Sequence, residues 1–180
     1  MEKEDVMNEE FEIGNISLIL TSYNDIFSSF DSRPYSEKAL SVDFLSECKR
    51  AVIDKNDKGL ELVLSIPRAK RNINDELRIK KRLREHFHRH FLLKDQELER
   101  LKKTGIRWVL LGVIILLALL SGMIVFEENK YSSLLAVFEV PCWFLIWEGM
   151  GKILFESKEY SVDKNFYSKM THAEILFKSY

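Results

Sequence analysis

The 180-residue sequence has no glycine-rich phosphate loop, no nucleophile elbow, no HExxH pair and no assembled acid and base, so catalysis is not expected and no cofactor is implied. It has two cysteines, Cys48 and Cys142, which fall in segments read below as cytosolic and lipid-embedded. Cysteines so placed cannot pair, and no disulfide is expected. Charge is missing over one long stretch. The composition, 46% hydrophobic and 31% charged, is near the globular average, yet from Trp108 to Phe126 no residue ionises.

That stretch belongs to "IRWVLLGVIILLALLSGMIVF", residues 106–126. A hydrocarbon core of roughly 30 Å needs about 20 apolar residues at a helical rise of about 1.5 Å, so the run is long enough to span a bilayer. A buried helix of a soluble protein would carry a polar stripe, and Val109 to Leu120 carries none. The run is internal and the chain opens on the acidic "MEKEDVMNEEFE", which excludes a secretory signal.

A second apolar stretch, residues 131–155, follows the connection "EENK", and so short a link makes the two helices antiparallel neighbours. Lys102, Lys103 and Arg107 precede the first span, Lys152 and Lys158 lie at the end of the second, and Glu127 and Glu128 mark the connection. By the positive-inside rule both termini are cytoplasmic, in an inner-membrane, multi-pass protein. Trp108, Trp143 and Trp147 partly fit an interfacial aromatic belt. Ala118 and Gly122, with Ser121 beside them, form a small-xxx-small pair suited to close helix packing.

The second stretch contains "EVPCWFLIWEGMGK", which carries two glutamates, a proline and a lysine. Counting from Tyr131 puts Glu139 about 12 Å into the membrane and Glu148 about 25 Å in, near the cytoplasmic edge. Lys152 follows Glu148 by four residues in the favourable order, so the two pair while the lysine snorkels to the headgroups. Glu139 has no such neighbour, and a midplane carboxylate must face protein or water, or be protonated. Pro141 adds a kink, since it lacks an amide hydrogen and disturbs the carbonyl of Val137. Two readings compete for Glu139: it lines an ion pathway built by several subunits, or it is a neutral, hydrogen-bonded staple to a neighbouring helix. Two helices cannot enclose a pore, so any pathway requires a homo-oligomer.

The predicted domains are a cytoplasmic segment 1–104, a transmembrane hairpin 105–156 and a cytoplasmic tail 157–180. Ile13 to Ser22 and Gly59 to Pro67 read as strands, the latter with Leu60, Leu62, Leu64 and Ile66 alternating with Glu61, Val63 and Ser65. Between them Ser41 caps a helix with Phe44, Leu45, Cys48, Val52 and Ile53 on one face, stopped by "NDKG". A strand, helix, strand unit implies parallel strands. Two strands and one helix bury too little to stand alone, so "HAEILFKSY" is read as a third strand, with a free amphipathic tail as the alternative. The fold class expected is therefore α+β, a sheet of two to three strands with two helices, fused to an antiparallel transmembrane hairpin.

After Pro67, nine basic residues between Arg68 and Arg89 face only Asp75, Glu76 and Glu85. A helix capped by Asn72 or Asn74 should carry them to the membrane, with Ile73, Leu77, Phe87 and Phe91 on its packed side. The basic surface is open to three readings: solvated helix charge, attraction to anionic lipid, or binding of a nucleotide or oligonucleotide. For the last, Arg78, Lys81, Arg82 and Arg89 are the anion-binding residues, with Phe87, Phe91 or the histidines stacking on bases. His86 and His90 lie four apart, a spacing zinc can use, but Arg84 and Arg89 repel a cation, so a pH-sensitive patch is preferred and no metal is expected. In "FSSFDSRPYSEKAL", Asp31 and Arg33 are placed to pair across a turn set by Pro34, with Tyr35 packing beneath; the loop is either structural or a ligand site.

"FDSRPYSEKALSVDFL" with "WEGMGKILFE" resembles a group of small two-pass prokaryotic membrane proteins, a resemblance that brings no activity with it. The plan of a compact cytoplasmic domain fused to a transmembrane hairpin is similar to that of the membrane effectors of nucleotide-signalled anti-phage defence, such as the Hailong system. That likeness implies an oligomeric ion channel or pore-forming effector gated by a nucleotide or oligonucleotide, and it assigns no residues. A membrane-tethered or lipid-interacting scaffold without conduction is the alternative.

Overall fold

The structure, a computed structural model, describes residues 15–53, 59–125 and 132–180, with the side chains of 123–125 and 132–136 excepted. The acidic opening residues, the strand start at Ile13, the Asn56 to Lys58 part of the helix stop, and the connection with Glu127, Glu128 and Tyr131 lie outside the described residues. In chain order the elements are β1 (Asn15–Ile19), α1 (Val42–Val52), β2 (Glu61–Ile66), α2 (Ile73–Val125), α3 (Ser132–Gly151), a π-helical turn (Lys152–Glu156), α4 (Ser157–His172) and β3 (Glu174–Ser179).

The three strands form one parallel sheet in the order β1-β2-β3. Ile16 lies opposite Leu62, and Leu62 opposite Ile175, so period-two alternation brings these residues, with Leu64 and Ile66, to one face, while Val63 is buried on the other. That face supplies Ile16, Leu62, Leu64, Ile66 and Ile175 to the core. The expected third strand is thus present, supplied by residues that follow both apolar stretches.

Helix α1 forms where expected. The Ser41 side chain accepts from the Asp43 amide, and Phe44, Cys48 and Val52 are buried at i, i+4, i+8. Ile53, by contrast, is exposed at the helix end. Gly59 has φ +72°, a left-handed conformation that favours glycine, and it turns the chain into β2.

Helix α2 packs on the core through Ile79, Leu83 and Phe87, each fully buried, with Phe91 half-buried against the cluster. Ile73 and Leu77 do not face inward: they are 72% and 61% exposed. The two pairs compete at the same four-residue spacing, but Leu77 and Ile79 are about 200° apart on a helix of 3.6 residues per turn, so only one stripe can be buried. Glu76 fills the first inward position, where Arg71 Nε donates at 2.8 Å and Tyr23 Oη at 3.0 Å. The Arg71 bonds hold the Glu76 carboxyl below its usual range.

The segment 157–180 is more than a tail ending in a strand. Ser157–His172 is a helix whose Phe166, Tyr167 and Met170 join the core. The chain divides into two compact units. One holds the described residues up to Leu92 with Asn165–Tyr180; the other is Leu93–Lys164. Among the described residues one helix, Ile73–Gly122, is long and apolar enough to cross a membrane. We expect Phe87→Ala to cost about 3–5 kcal/mol in chemical denaturation followed by circular dichroism, and Leu77→Ala to stay within about 0.5 kcal/mol.

Candidate functional site

Within the second unit, α2 and α3 meet backbone to backbone. A methyl group on Gly149 would lie 2.6 Å from the Gly105 carbonyl oxygen and 2.8 Å from the Val109 amide nitrogen; one on Gly112 would lie 2.7 Å from Ile146 Cγ1. Gly105 meets Gly149 while Gly112 meets Cys142 and Ile146, so the two helices run in opposite directions. The contacts follow a heptad-like seam: Gly105, Val109 and Gly112 on α2, and Cys142, Ile146 and Gly149 on α3. Cys142 is 1% exposed within it. Ala118 and Gly122 are not among the residues of this contact, and among the described residues nothing lies within 4 Å of the Cβ position of Gly122. The signal that would have found the seam is the seven-residue spacing of Gly105 and Gly112.

Away from the seam the spans of α2 and α3 beside it expose apolar side chains. Leu110, Ile114 and Leu117 on α2, and Val140, Trp143 and Trp147 on α3, are each more than half exposed. Glu139 precedes Cys142 by three residues and Ile146 by seven, so it continues the α3 seam, and it is exposed. Helix α3 runs on through Pro141. The irregular turn falls at Lys152–Glu156, where the Lys152 ammonium donates to Glu148 at 2.7 Å and to Glu156 at 3.3 Å. The expected Glu148 to Lys152 pair is present, with Glu156 as a third member.

The four expected anion-binding residues share one face of α2, at i, i+3, i+4 and i+11. Arg78 lies 3.9 Å from Asp75 and Lys81 3.8 Å from Glu85, while Arg82 Nε donates to the Lys38 carbonyl at 3.0 Å. Arg89 is exposed on the same helix. Phe87 is in the core and cannot stack on a base. His90 stacks on Tyr167, ring centroids 5.2 Å apart, and His86 packs on His90 at 4.2 Å. The buried His86 Nε2 has no hydrogen-bond partner among the described residues. Burial, with the neighbouring His90 and Arg82 charges, pushes its pKa down to about 4. Among the described residues no group of three or more His, Cys, Asp or Glu is placed to hold a metal ion.

The loop residues Asp31 and Arg33 do pair. Arg33 Nε and Nη2 donate to the two Asp31 oxygens at 3.0 and 2.8 Å, and the Ala39 amide donates to Oδ2 at 2.7 Å. The Arg33 bonds hold the Asp31 carboxyl well below the usual range. With its oxygens so committed, Asp31 ties the loop to the Phe27 to Leu40 bridge, and Tyr35 stacks on Phe27 at 5.3 Å. Both cysteines are free and buried; burial pushes the Cys48 thiol up to about 12, which makes it inert.

No protein-family model matches the chain, and neither a curated protein nor a solved structure matches it.

Two outcomes follow. Gly149→Leu should cost about 1–3 kcal/mol and lower the thermal midpoint by a few degrees, while Gly122→Leu leaves it unchanged. His86 binds its proton more weakly folded than unfolded. Its contribution to stability is complete above its ordinary value of 6.5 and is lost as the pH falls towards about 4. Denaturation midpoints measured across that window should fall for the parent chain and flatten in His86→Leu.

Proposed function

We propose that the chain is an oligomeric inner-membrane protein in which α2 and α3 cross the bilayer as a hairpin, both termini are cytoplasmic, and the α/β unit regulates ion conduction or membrane permeabilisation. The observation that carries this reading is the exposed apolar surface of the second unit with Glu139 set in it. In water that surface would be costly; in lipid it is at home, and Glu139 is then the one group in it that demands a partner. A second chain supplies that partner, since two helices cannot close a path around an ion. The likeness in plan to nucleotide-gated membrane effectors favours the same reading.

A scaffold without conduction is the second reading, and one observation favours it. Three of the four residues expected to bind an anion already have partners on their own chain: Arg78, Lys81 and Arg82. Surface pairs of this kind are worth little, so an anionic ligand could displace two of them, but they do not form a prepared pocket.

Planar-bilayer recording of the reconstituted chain separates the two. A channel should lose several-fold in cation conductance on Glu139→Gln, because the substitution removes the charge and keeps the shape. An unchanged variant takes Glu139 out of the pathway. Absence of current with and without added nucleotides and oligonucleotides favours the scaffold.

A further inference from the structure

On α2 at the start of its uncharged stretch, Thr104, Arg107, Trp108 and Leu111 line one recess of about 250 Å³. Their spacing of i, i+3, i+4 and i+7 puts them on one helical face. We propose that this recess binds the phosphate of an anionic phospholipid, with Arg107 and Thr104 on the headgroup and Trp108 and Leu111 along the glycerol and upper acyl chain. The inference rests on the membrane reading above and names a ligand for a place in it.

Four observations carry it. The Arg107 guanidinium is turned back along the helix, away from the apolar stretch: Nη2 donates to Thr104 Oγ1 at 3.2 Å and Nε to the Lys103 carbonyl at 3.4 Å. This is the snorkelling direction, and it leaves Nη1 with no bond among the described residues. Second, Thr104 Oγ1 in turn donates to the Arg100 carbonyl at 2.8 Å, so the two polar groups of the recess are held in one place. Third, Lys103 has Glu99 at 2.8 Å and Lys152 has Glu148 and Glu156, whereas among the described residues no carboxylate pairs with Arg107. Fourth, the lining changes from cation and hydroxyl to indole and leucine within two helical turns. A phospholipid makes the same change between its phosphate and its chains. A guanidinium matches a phosphate as a fork of parallel donors, and an indole beside it suits the interfacial depth.

The test uses the full chain. Flotation with phosphatidylcholine vesicles comes first; a chain that does not float with them refutes the membrane reading and this site together. Lipid retention is then read by native mass spectrometry after extraction from vesicles of phosphatidylcholine with a minority of phosphatidylglycerol. The parent should retain phosphatidylglycerol in preference. Arg107→Gln should reduce that retention about ten-fold while still floating, the loss of one charge-assisted bidentate contact, and Arg107→Lys should fall between. Thr104→Val, which keeps helix and charge but loses the hydroxyl, should reduce it by a smaller factor. Glycerol 3-phosphate added in excess should not displace the lipid, because it lacks the chains. Equal retention by parent and Arg107→Gln overturns the site, and displacement by glycerol 3-phosphate would reassign it to soluble phosphates.

Discussion

The contact of Gly105 with Gly149 is the constraint on which the second unit depends. Apolar side chains gain little from one another in a lipid surrounding, so helices associate there only where their backbones approach closely enough for dense packing. Glycine permits this approach, and the seven-residue step to Gly112 repeats it two turns on. That repeat sets the register, and the register decides what else meets: Cys142 and Ile146 are presented to α2, while the bulky Trp143 and Trp147 are turned outward. Glu139 follows on the same α3 stripe, so the geometry that places the glycines also aligns the carboxylate with the seam.

The first unit rests on a different arrangement. Strand β2 is central, with β1 on one side and β3 on the other, and its buried leucines belong to one core with residues of three helices. Strands of this kind are legible because a half-buried strand alternates, and Leu60, Leu62, Leu64 and Ile66 alternate plainly. The Ser41 cap and the third strand were legible for the same local reasons. Residues on helices were harder to read. Ile73 and Leu77 offer the same four-residue spacing as Ile79, Leu83 and Phe87, and the choice between the stripes is made by the sheet, which no local pattern reports. Helix α4 escaped because its buried residues, Phe166, Tyr167 and Met170, sit at one end of a segment otherwise rich in charge and hydroxyl groups.

At the candidate sites legibility divided along the same line. The pairs Asp31 with Arg33 and Glu148 with Lys152 are close in sequence, and the spacing alone brings them together. The basic residues of α2 are also close in sequence, and Arg78 and Lys81 take carboxylates three and four residues away, but Arg82 donates to the Lys38 carbonyl, whose position depends on the fold. Excess charge in a sequence therefore says little about where an anion would sit. Arg107 is bonded one turn back on its own helix, and among the described residues no carboxylate reaches it.

The order of the sheet bears on how the protein is made. β2 has a neighbour that precedes the apolar helices and another, β3, that follows them; Phe166 and Met170 of the core follow them too. A ribosome works from the amino end, so the segment before the helices emerges with one sheet edge unpaired and part of its core missing. Closure must wait until the greasy helices have been synthesised. The α/β unit of this chain is thus a nascent partner in want of its complement, and its maturation is timed by synthesis of the apolar helices.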